Sequence, residues 1–208
     1  KRAYMGLVFL YEDKKEVIPV IESITSLEYD ISSTIKRLTT RTRKKIGFLS
    51  GEDEAPLSEF TNAQKVISRQ YDVTTVDLTA TDDVPADLAA LLIVGPKKSF
   101  SPPVKYRIDQ YIMHGGRVAF LLNRAEADLQ QRFAQPLDNG LGDLLDQYGL
   151  KINADLVRDV QCANISIVQQ QFGFSIQSQV PFPYLPLVSD FSKDNMMVKD
   201  LKGVVLFF

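Results

Sequence analysis

Three loops of this 208-residue chain carry the residue types that could bind a ligand or do chemistry. They are residues 50–55, 95–101 and 123–126, and each directly follows an apolar run typical of a β-strand. In an open α/β sheet, ligands bind beyond the carboxyl ends of the strands, near the point where the strand order reverses. The candidate ligand-binding residues are therefore those at the strand ends: Ser50, Gly51, Gly95, Lys97, Lys98, Ser99 and Asn123.

The first loop reads Ser-Gly-Glu-Asp-Glu-Ala and is acidic. It has neither the glycine spacing of a dinucleotide-binding fingerprint nor the Gly-Lys-Ser/Thr of a phosphate-binding loop. Its carboxylates would also repel a phosphate. A cation site is one interpretation. The sequence favours the other, a solvated loop whose acids lie at the amino end of the next helix, where negative charge is stabilised.

The second loop reads Gly-Pro-Lys-Lys-Ser-Phe-Ser and precedes a helix that is predicted to begin at Pro102. Its two lysines and two serines are predicted to face one crevice, where the helix N-terminus could hold an anion. The alternative, which the sequence favours, is an exposed loop with ordinary lysines.

The third loop bears most directly on catalysis. In hydrolase and glutamine-amidotransferase-like folds, the nucleophile lies on the tight turn after a central strand, and this chain has Asn123 there. The single histidine, His114, ends a helix and can interact with the helix dipole. A Ser-His or Cys-His mechanism needs its base beside a nucleophile. We therefore expect no catalytic residue and no hydrolase activity; a carboxylate-only or metal mechanism has no spaced ligand set to support it, and no metal or cofactor is predicted.

Composition and charge limit the classes of protein to which this chain can belong. The chain is 45% hydrophobic and 24% charged, which is typical of a globular domain. Its formal net charge of −2 gives no basic excess, so nucleic acid is not expected as a partner. The single cysteine, Cys162, excludes an internal disulfide and a cysteine-based zinc site, and we expect a buried thiol.

Neither end of the chain looks like the end of a natural domain. It begins with Lys1 rather than Met and stops inside an apolar run at residues 203–208. No apolar run reaches the roughly 18–20 residues that a membrane helix needs. We therefore expect a piece of a longer protein, with any membrane anchor beyond its ends.

The middle of the chain alternates apolar strands with amphipathic helices, and the predicted strands are 46–49, 73–78, 88–94 and 118–122. Continuous apolar strands of this kind indicate a parallel sheet covered on both faces. Right-handed crossovers then favour a flavodoxin-like or doubly wound order. The predicted fold class is α/β.

The N-terminal part, 1–40, precedes this core and does not follow its alternation. Residues 4–11 and 16–21 flank a four-residue polar turn and predict a β-hairpin. Residues 27–38 predict an amphipathic helix.

A basic tract lies at the exit of this helix, with six cations among residues 36–45: Lys36, Arg37, Arg41, Arg43, Lys44 and Lys45. It could contact anionic lipid headgroups or an acidic partner. The alternative, which the sequence favours, is a solvated helix end whose positive charge complements the dipole.

The C-terminal third carries weaker signals. Residues 141–148 predict a short helix that ends at Gly149. The glutamine-rich residues 160–180 predict solvent-facing strands in a small extra sheet, and prolines 181, 183 and 186 predict an extended loop. We therefore expect one α/β domain fragment whose parallel-sheet core, 41–159, is followed by a β-rich appendage, 160–208.

A series of short motifs runs in order along nearly the whole chain. It comprises YMGLVFLYEDKKEVIP at 4–19, LEYD at 27–30, IGFLSG at 46–51, LLIVGP at 91–96, IDQYI at 108–112 followed by Gly115-Gly116, LLDQYG at 144–149, LVRD at 156–159, the PYLP run around Tyr184 and the terminal apolar strand. Each motif alone is weak, but the series resembles the auxiliary, GldG-type domain of ABC transport systems associated with gliding motility.

This resemblance implies a periplasmic domain, held outside the inner membrane by transmembrane helices that lie beyond this sequence. It implies an ABC permease and ATPase, and other envelope proteins, as partners, and surface motility or secretion as the process served. The family is related in fold to glutamine-amidotransferase-like domains without their catalytic residues, which agrees with Asn123 at the turn. It carries no established site residues, so none is transferred.

Three functions remain open from the sequence. A transporter interaction module predicts membrane-linked flanks and no turnover. A scaffold in a larger assembly predicts an exposed apolar patch with no pocket behind it. An amidotransferase-like enzyme acting on glycans would need a nucleophile or metal cluster at the strand ends. The first is favoured.

Overall fold

The fold was described from a computed structural model that covers residues 5–21, 24, 26–80, 83–128, 133–171, 174–195, 197–199 and 201–207. Two compact units divide the chain. The first comprises residues 1–122 and 139–148, and the second comprises residues 123–138 and 149–208.

The first unit begins with an antiparallel hairpin and a helix, as predicted. Strands β1 (Leu7–Tyr11) and β2 (Lys14–Ile18) pair from Leu7 with Ile18 to Tyr11 with Lys14. The connecting turn therefore has two residues rather than the predicted four, because Glu12 takes a positive φ of 50° and closes the turn early. Helix α1 (Leu27–Thr39) follows and packs on the hairpin.

Four parallel strands make the central sheet of this unit: β3 (Lys44–Ser50), β4 (Tyr71–Asp77), β5 (Leu88–Val94) and β6 (Val118–Leu121). Their order in space is β4-β3-β5-β6, so the order reverses between β3 and β5. The interior strand β5 is the most apolar of the four, and its Leu91 and Ile93 are fully buried. Burial on both faces explains why its sequence shows no polar alternation.

Helices α2 and α3 connect strands of this sheet, and α3 and α4 contribute side chains to its core. A 3₁₀ turn (Leu57–Phe60) leads into α2 (Thr61–Ile67), and α3 (Pro102–Met113) precedes β6. Helix α4 (Gly142–Gln147) completes the unit and ends, as predicted, before Gly149, whose φ is +76°. Strand and helix side chains share one core, which includes Leu78, Leu91, Ile93, Ile108, Leu141 and Leu144.

The α/β class is thus confirmed in its coarse form: the structure is a mixed α/β fold with a parallel four-stranded sheet and few helices. The remaining sheets are antiparallel, so the fold is less uniform than a doubly wound sheet. The flavodoxin-like and amidotransferase-like assignments stay predictions.

The regular secondary structure described in the second unit is β-strand. Strands β7 (Ala125–Asp128) and β8 (Phe133–Pro136) pair antiparallel and were not predicted. Strands β9 (Cys162–Gln171) and β10 (Phe174–Val188) form a long antiparallel ribbon, as the sequence predicted for 160–180, and β11 (Val204–Val205) pairs with the end of β10.

The predicted proline loop is wrong, because β10 runs through all three prolines. Pairing with β9 continues to Pro181, and the register then shifts before Pro186 pairs with Cys162. Proline has no N–H to give to a ladder and is tolerated in strands at bulges and edges. The irregularity in the ladder therefore accommodates the prolines without ending the strand.

Candidate functional site

An open cleft of about 380 Å³ lies at the carboxyl end of β3 in the first unit, and Thr75 of β4 and Lys98 from the loop after β5 also line it. It adjoins the point between β3 and β5 where the strand order reverses, and open α/β sheets bind ligands beyond the carboxyl ends of the strands near such a point. The cleft is lined by Ser50, Gly51, Asp53, Glu54 and Lys98, together with apolar side chains of β3 and the 3₁₀ turn. The structure therefore brings the first two predicted loops together at one site.

The loop after β3 needs an unusual backbone to turn away from the sheet. Gly51 has a φ of +129°, a value that residues with a side chain rarely adopt, and Asp53 follows with a φ of +61°. A Cβ atom added to Gly51 would lie 2.8 Å from Cγ2 of Thr79. Thr79 is itself fixed, because its N–H and its hydroxyl both donate to Oδ1 of Asp77, at 2.8 and 2.6 Å. Both the backbone conformation and the short distance to Thr79 therefore favour glycine over any other residue at position 51.

The two loops are joined by backbone hydrogen bonds. The N–H groups of Lys97 and Lys98 both donate to the carbonyl oxygen of Glu52, at 3.1 and 2.9 Å. The N–H of Ala55 donates to the carbonyl of Val94 at 3.2 Å. We call this set of bonds the loop clamp. Successive N–H groups in a turn can bind an anion when they are free. In the loop clamp these N–H groups are already bonded to a carbonyl oxygen, so they are not available to an anion.

Glu54 is the acid of this loop whose carboxylate turns inward and bonds to the loop's own backbone. Its Oε2 accepts the N–H of Glu52 at 2.8 Å, while its Oε1 is buried and, among the residues that the structure describes, has no hydrogen-bond partner. Burial of the carboxyl raises the pKa of Glu54, and the hydrogen bonds from the loop backbone offset the rise only in part. The fold therefore disfavours the charged form of the Glu54 carboxyl.

The predicted site residues do not all face the cleft. Ser50, Gly51 and Lys98 line it. Lys97 is exposed and contributes its N–H to the loop clamp. Gly95, with a φ of +57°, turns the chain after β5 and donates its N–H to the carbonyl of Leu121 at 2.8 Å.

The other two predicted residues lie elsewhere. The hydroxyl of Ser99 lies against Gly140, in the segment that leads into α4, and the next residue, Phe100, donates its N–H to the carbonyl of Asn139 at 2.9 Å. Asn123 is exposed and is the first residue of the second unit. Of the two lysines and two serines of the second loop that were expected to face one crevice, Lys98 lines the cleft, whereas Lys97, Ser99 and Ser101 are not among its lining residues.

The amino end of α3 is a poor anion site for a reason that the sequence already contained. Its first two residues, Pro102 and Pro103, have no N–H to present. The N–H of Lys105 is taken by the carbonyl of Ser101 at 3.0 Å. Its ammonium binds the carboxylate of Asp143 at 2.6 Å and the carbonyl of Gly140 at 3.2 Å. The positive groups at this helix end are thus used within the fold.

Two acids that shape the site were not among the predicted site residues. Glu54 and Asp77 both use a carboxylate to accept backbone N–H groups within their own loops. The hydrogen bonds from Thr79 hold the pKa of Asp77 below its ordinary value. The signal for Asp77 was present, since an Asp two residues before a Thr at a strand end is typical of an Asx turn.

The remaining reactive side chains lie outside the cleft. His114 caps α3 at its carboxyl end, with Nδ1 2.6 Å from the carbonyl oxygen of Gln110. Cys162 is the first residue of β9 and has a free thiol that is half-buried, whereas a buried thiol was expected. Across the described ranges, no group of three or more His, Cys, Asp or Glu side chains is arranged to hold a metal ion.

Comparison with known proteins identifies the family. The chain matches the family described as an ABC-type uncharacterized transport system over residues 43–208. It is also 25% identical over 212 residues to an uncharacterized protein of Borreliella burgdorferi, a match that covers 100% of this chain and 40% of that protein. The chain therefore spans less than half the length of this relative. No solved structure matches the chain.

The family match confirms the resemblance to the auxiliary domains of ABC transport systems, whereas the link to gliding motility stays a prediction. The match covers the parallel sheet, the cleft and the second unit, whereas the hairpin and α1 lie before its first residue. None of the helices in the described ranges has the length and apolar character needed to span a bilayer. Because the match extends over most of the sequence, the chain belongs to the family of ABC-type uncharacterized transport systems.

Proposed function

We propose that this chain is a non-catalytic accessory domain of an ABC transport system, and that it works by contacting other proteins. Membership of the transport-system family supports this role. The resemblance to auxiliary domains of the GldG type supports a more specific form of it, in which the domain lies on the periplasmic side of the inner membrane and serves gliding motility or surface secretion.

The observation that carries the proposal is the loop clamp. An active or anion-binding site at the strand ends would present free backbone donors to its ligand. Here the N–H groups of Lys97 and Lys98 are given to the carbonyl of Glu52, and the N–H of Glu52 is given to Glu54. The loops that would act on a substrate thus bond to one another and form a fixed surface.

The partners expected for such a surface are the permease and ATPase subunits of the transporter, together with other envelope proteins. The cleft offers a contact of mixed character, with Lys98 beside the acids Asp53 and Glu54 and an apolar floor that includes Phe48 and Leu49. Polar groups around an apolar centre are the ordinary anatomy of a protein interface.

The test is affinity purification of the full-length parent protein from its native membranes, with identification of co-purified ABC subunits by mass spectrometry. Lys98→Glu, in the cleft, is expected to reduce recovery of the permease or ATPase at least fivefold. Lys151→Glu makes the same change of charge on an exposed lysine of the second unit and should leave recovery unchanged. Absence of both subunits from the wild-type sample would contradict the proposal.

A separate measurement addresses the enzyme alternative. We expect the purified chain to show no hydrolase activity toward amide or glycan substrates, and His114→Ala and Cys162→Ala to leave partner binding unchanged. An activity that either substitution abolishes would refute the non-catalytic role, whatever the outcome of the purification.

A further inference from the structure

The long β-ribbon of the second unit has a free edge that the proposed function does not use. Strand β9 (Cys162–Gln171) pairs with β10 on one side, and within the described residues no strand pairs with it on the other side. In an antiparallel ladder, every second residue of a strand directs its N–H and C=O groups away from its partner. The outer side of β9 therefore presents a row of backbone donors and acceptors to which another strand can pair. We call it the β9 edge.

The β9 edge lacks the features by which proteins protect the free edges of their sheets. Such edges are usually shielded by charged side chains, by prolines or by bulges. No charged residue occurs between Asp159 and Asp190, in a chain that is 24% charged overall, and β9 contains no proline. The β9 edge is therefore open to the addition of a further strand.

The opposite edge of the ribbon, along β10, is less suited to strand addition over its full length. Strand β11 already pairs with β10 at Leu187 and Val188. The ladder of β10 also shifts register between Pro181 and Pro186, and proline has no N–H to donate to an added strand. Of the two edges, the β9 edge is the one that an added strand can follow from end to end.

The side chains beside the β9 edge are uncharged on both faces of the ribbon. Asn164, Ser166 and Val168 are exposed on one face, and Val168 has 64% of its surface exposed. Ile165 and Ile167 are half-buried on the other face. A charged strand would find no counter-charge along this edge, so the charge pattern favours an uncharged, β-branched strand as the occupant.

Strand β9 of a second copy of this chain is such a strand. Antiparallel pairing about a two-fold axis at Ser166 places Ile165 opposite Ile167 of the second copy, and Ile167 opposite its Ile165. The four isoleucines then lie on one face of the joined sheet, where cross-strand pairs of β-branched side chains are stabilising. Like charges do not oppose one another, because β9 carries no charge. The strand is therefore complementary to itself.

We propose that two copies of this chain associate by antiparallel pairing of their β9 strands about Ser166, and that they form one continuous sheet in the order β10-β9-β9-β10. The assembly closes at two copies, because the pairing is isologous and uses the β9 edge of both. This inference rests on the second unit and not on the cleft, so it stands or falls independently of the proposed transport role.

The first test is the oligomeric state of the 208-residue chain, measured by sedimentation equilibrium. The wild-type chain should show a monomer–dimer equilibrium. Ser166→Lys and Ser166→Glu each place two like charges directly opposite one another, and each should raise the dissociation constant of the dimer about fivefold. An equimolar mixture of the two variants should form a mixed dimer at least as tight as the wild-type dimer, because the two charges then have opposite signs.

The matched control is Gln179→Lys. Gln179 is exposed and lies opposite Ser166 on β10, so the substitution adds the same charge to the same face of the ribbon. In the proposed sheet its two copies are three strand spacings apart, about 14 Å, where salt screens most of their repulsion. This variant should dimerise as the wild-type chain does, and circular dichroism confirms that each variant is folded.

Disulfide cross-linking tests the register. Cys162→Ala removes the single native thiol. In that background, Ser166→Cys should give a covalent dimer on oxidation with diamide, because directly opposite residues of an antiparallel pair are close enough for a disulfide. Gln179→Cys should stay monomeric on a non-reducing gel.

A wild-type chain that stays monomeric at millimolar concentration would overturn the proposal and would leave the β9 edge to a strand of another protein. A dimer that Ser166→Cys does not cross-link would also overturn it, as would equal weakening by Ser166→Lys and Gln179→Lys. In both of these cases the copies would associate through another surface.

Discussion

Gly51 offers the sharpest test of the geometry that builds the cleft. Substitution Gly51→Ala places a methyl group where the backbone φ is +129° and where Cγ2 of Thr79 lies 2.8 Å away. The backbone conformation costs about 1–3 kcal/mol for a residue with a Cβ. Moving Thr79 adds about 1–3 kcal/mol, because its two hydrogen bonds to Asp77 hold it in place.

The matched control is Gly95→Ala, in the neighbouring loop. Gly95 also has a positive φ, of +57°, but nothing lies within 4 Å of the position that its Cβ would take. Its cost is therefore the left-handed conformation alone, about 1 kcal/mol. The expected difference in the free energy of unfolding between the two variants is about 3 kcal/mol.

Thermal unfolding followed by far-UV circular dichroism measures this difference. For a chain of this size, 1 kcal/mol lowers the Tm by about 2–4 °C, so Gly51→Ala should melt about 9 °C below Gly95→Ala. Equal melting temperatures, or a more stable Gly51→Ala, would show that the loop after β3 does not have the backbone described here.

Two further predictions concern stability. Because the pKa of Glu54 is raised, the folded state binds the proton of this carboxyl more tightly than the unfolded chain does. The stability that the protonated carboxyl contributes is therefore fully present below its ordinary pKa of 4.5, and it is lost as the pH rises through the higher folded pKa. In urea titrations from pH 4.5 upward, Glu54→Gln should remove this loss of stability. Glu59→Gln, at an exposed position, should retain it. Identical dependences of stability on pH for the two variants would contradict the burial of Glu54. Ile108→Ala should lower the free energy of unfolding by about 2–5 kcal/mol, because this side chain is 0% exposed in the core. Tyr106→Ala, at a side chain that is 63% exposed, should change it by no more than about 0.5 kcal/mol. A loss below about 1 kcal/mol for Ile108→Ala would show that α3 does not present Ile108 to the core.

The elements that the sequence predicted well are those in which one physical signal dominates. Leu88–Val94 is a strand with the predicted bounds, because a continuous apolar run between turn residues has few alternatives. The helix that ends at Gly149 was predicted from the preference of glycine for a positive φ after a helix. In both cases the information is local.

The errors arose where a distant partner decides the local structure. Strand β10 continues through Pro181 because β9 pairs with it up to that residue, and a single segment does not reveal its partner. Strands β7 and β8 have four residues each, and the Ala-Glu-Ala-Asp alternation of β7 is too brief to identify a strand, so their pairing with each other defines them. Propensity is overridden by tertiary pairing in both places.

The candidate site likewise has features that the sequence predicted and features that depend on distant parts of the chain. Topology alone predicted that the loops after β3 and β5 meet, and Ser50 and Lys98 do line one cleft. The loop clamp could not be predicted, because it joins backbone groups of Glu52 and Lys97 that are far apart in sequence and depend on no side-chain identity. The character of the site therefore depends on bonds that residue types do not encode.

Amide hydrogen exchange at Lys97 and Lys98 tests the central claim most directly, because the non-catalytic role depends on these two donors being bonded within the fold. If the carbonyl of Glu52 accepts both N–H groups, their exchange should be slow compared with that of exposed loop amides, and it should not change when phosphate is added. Fast exchange at both residues that slows on addition of phosphate would show an open anion-binding site and would contradict the account.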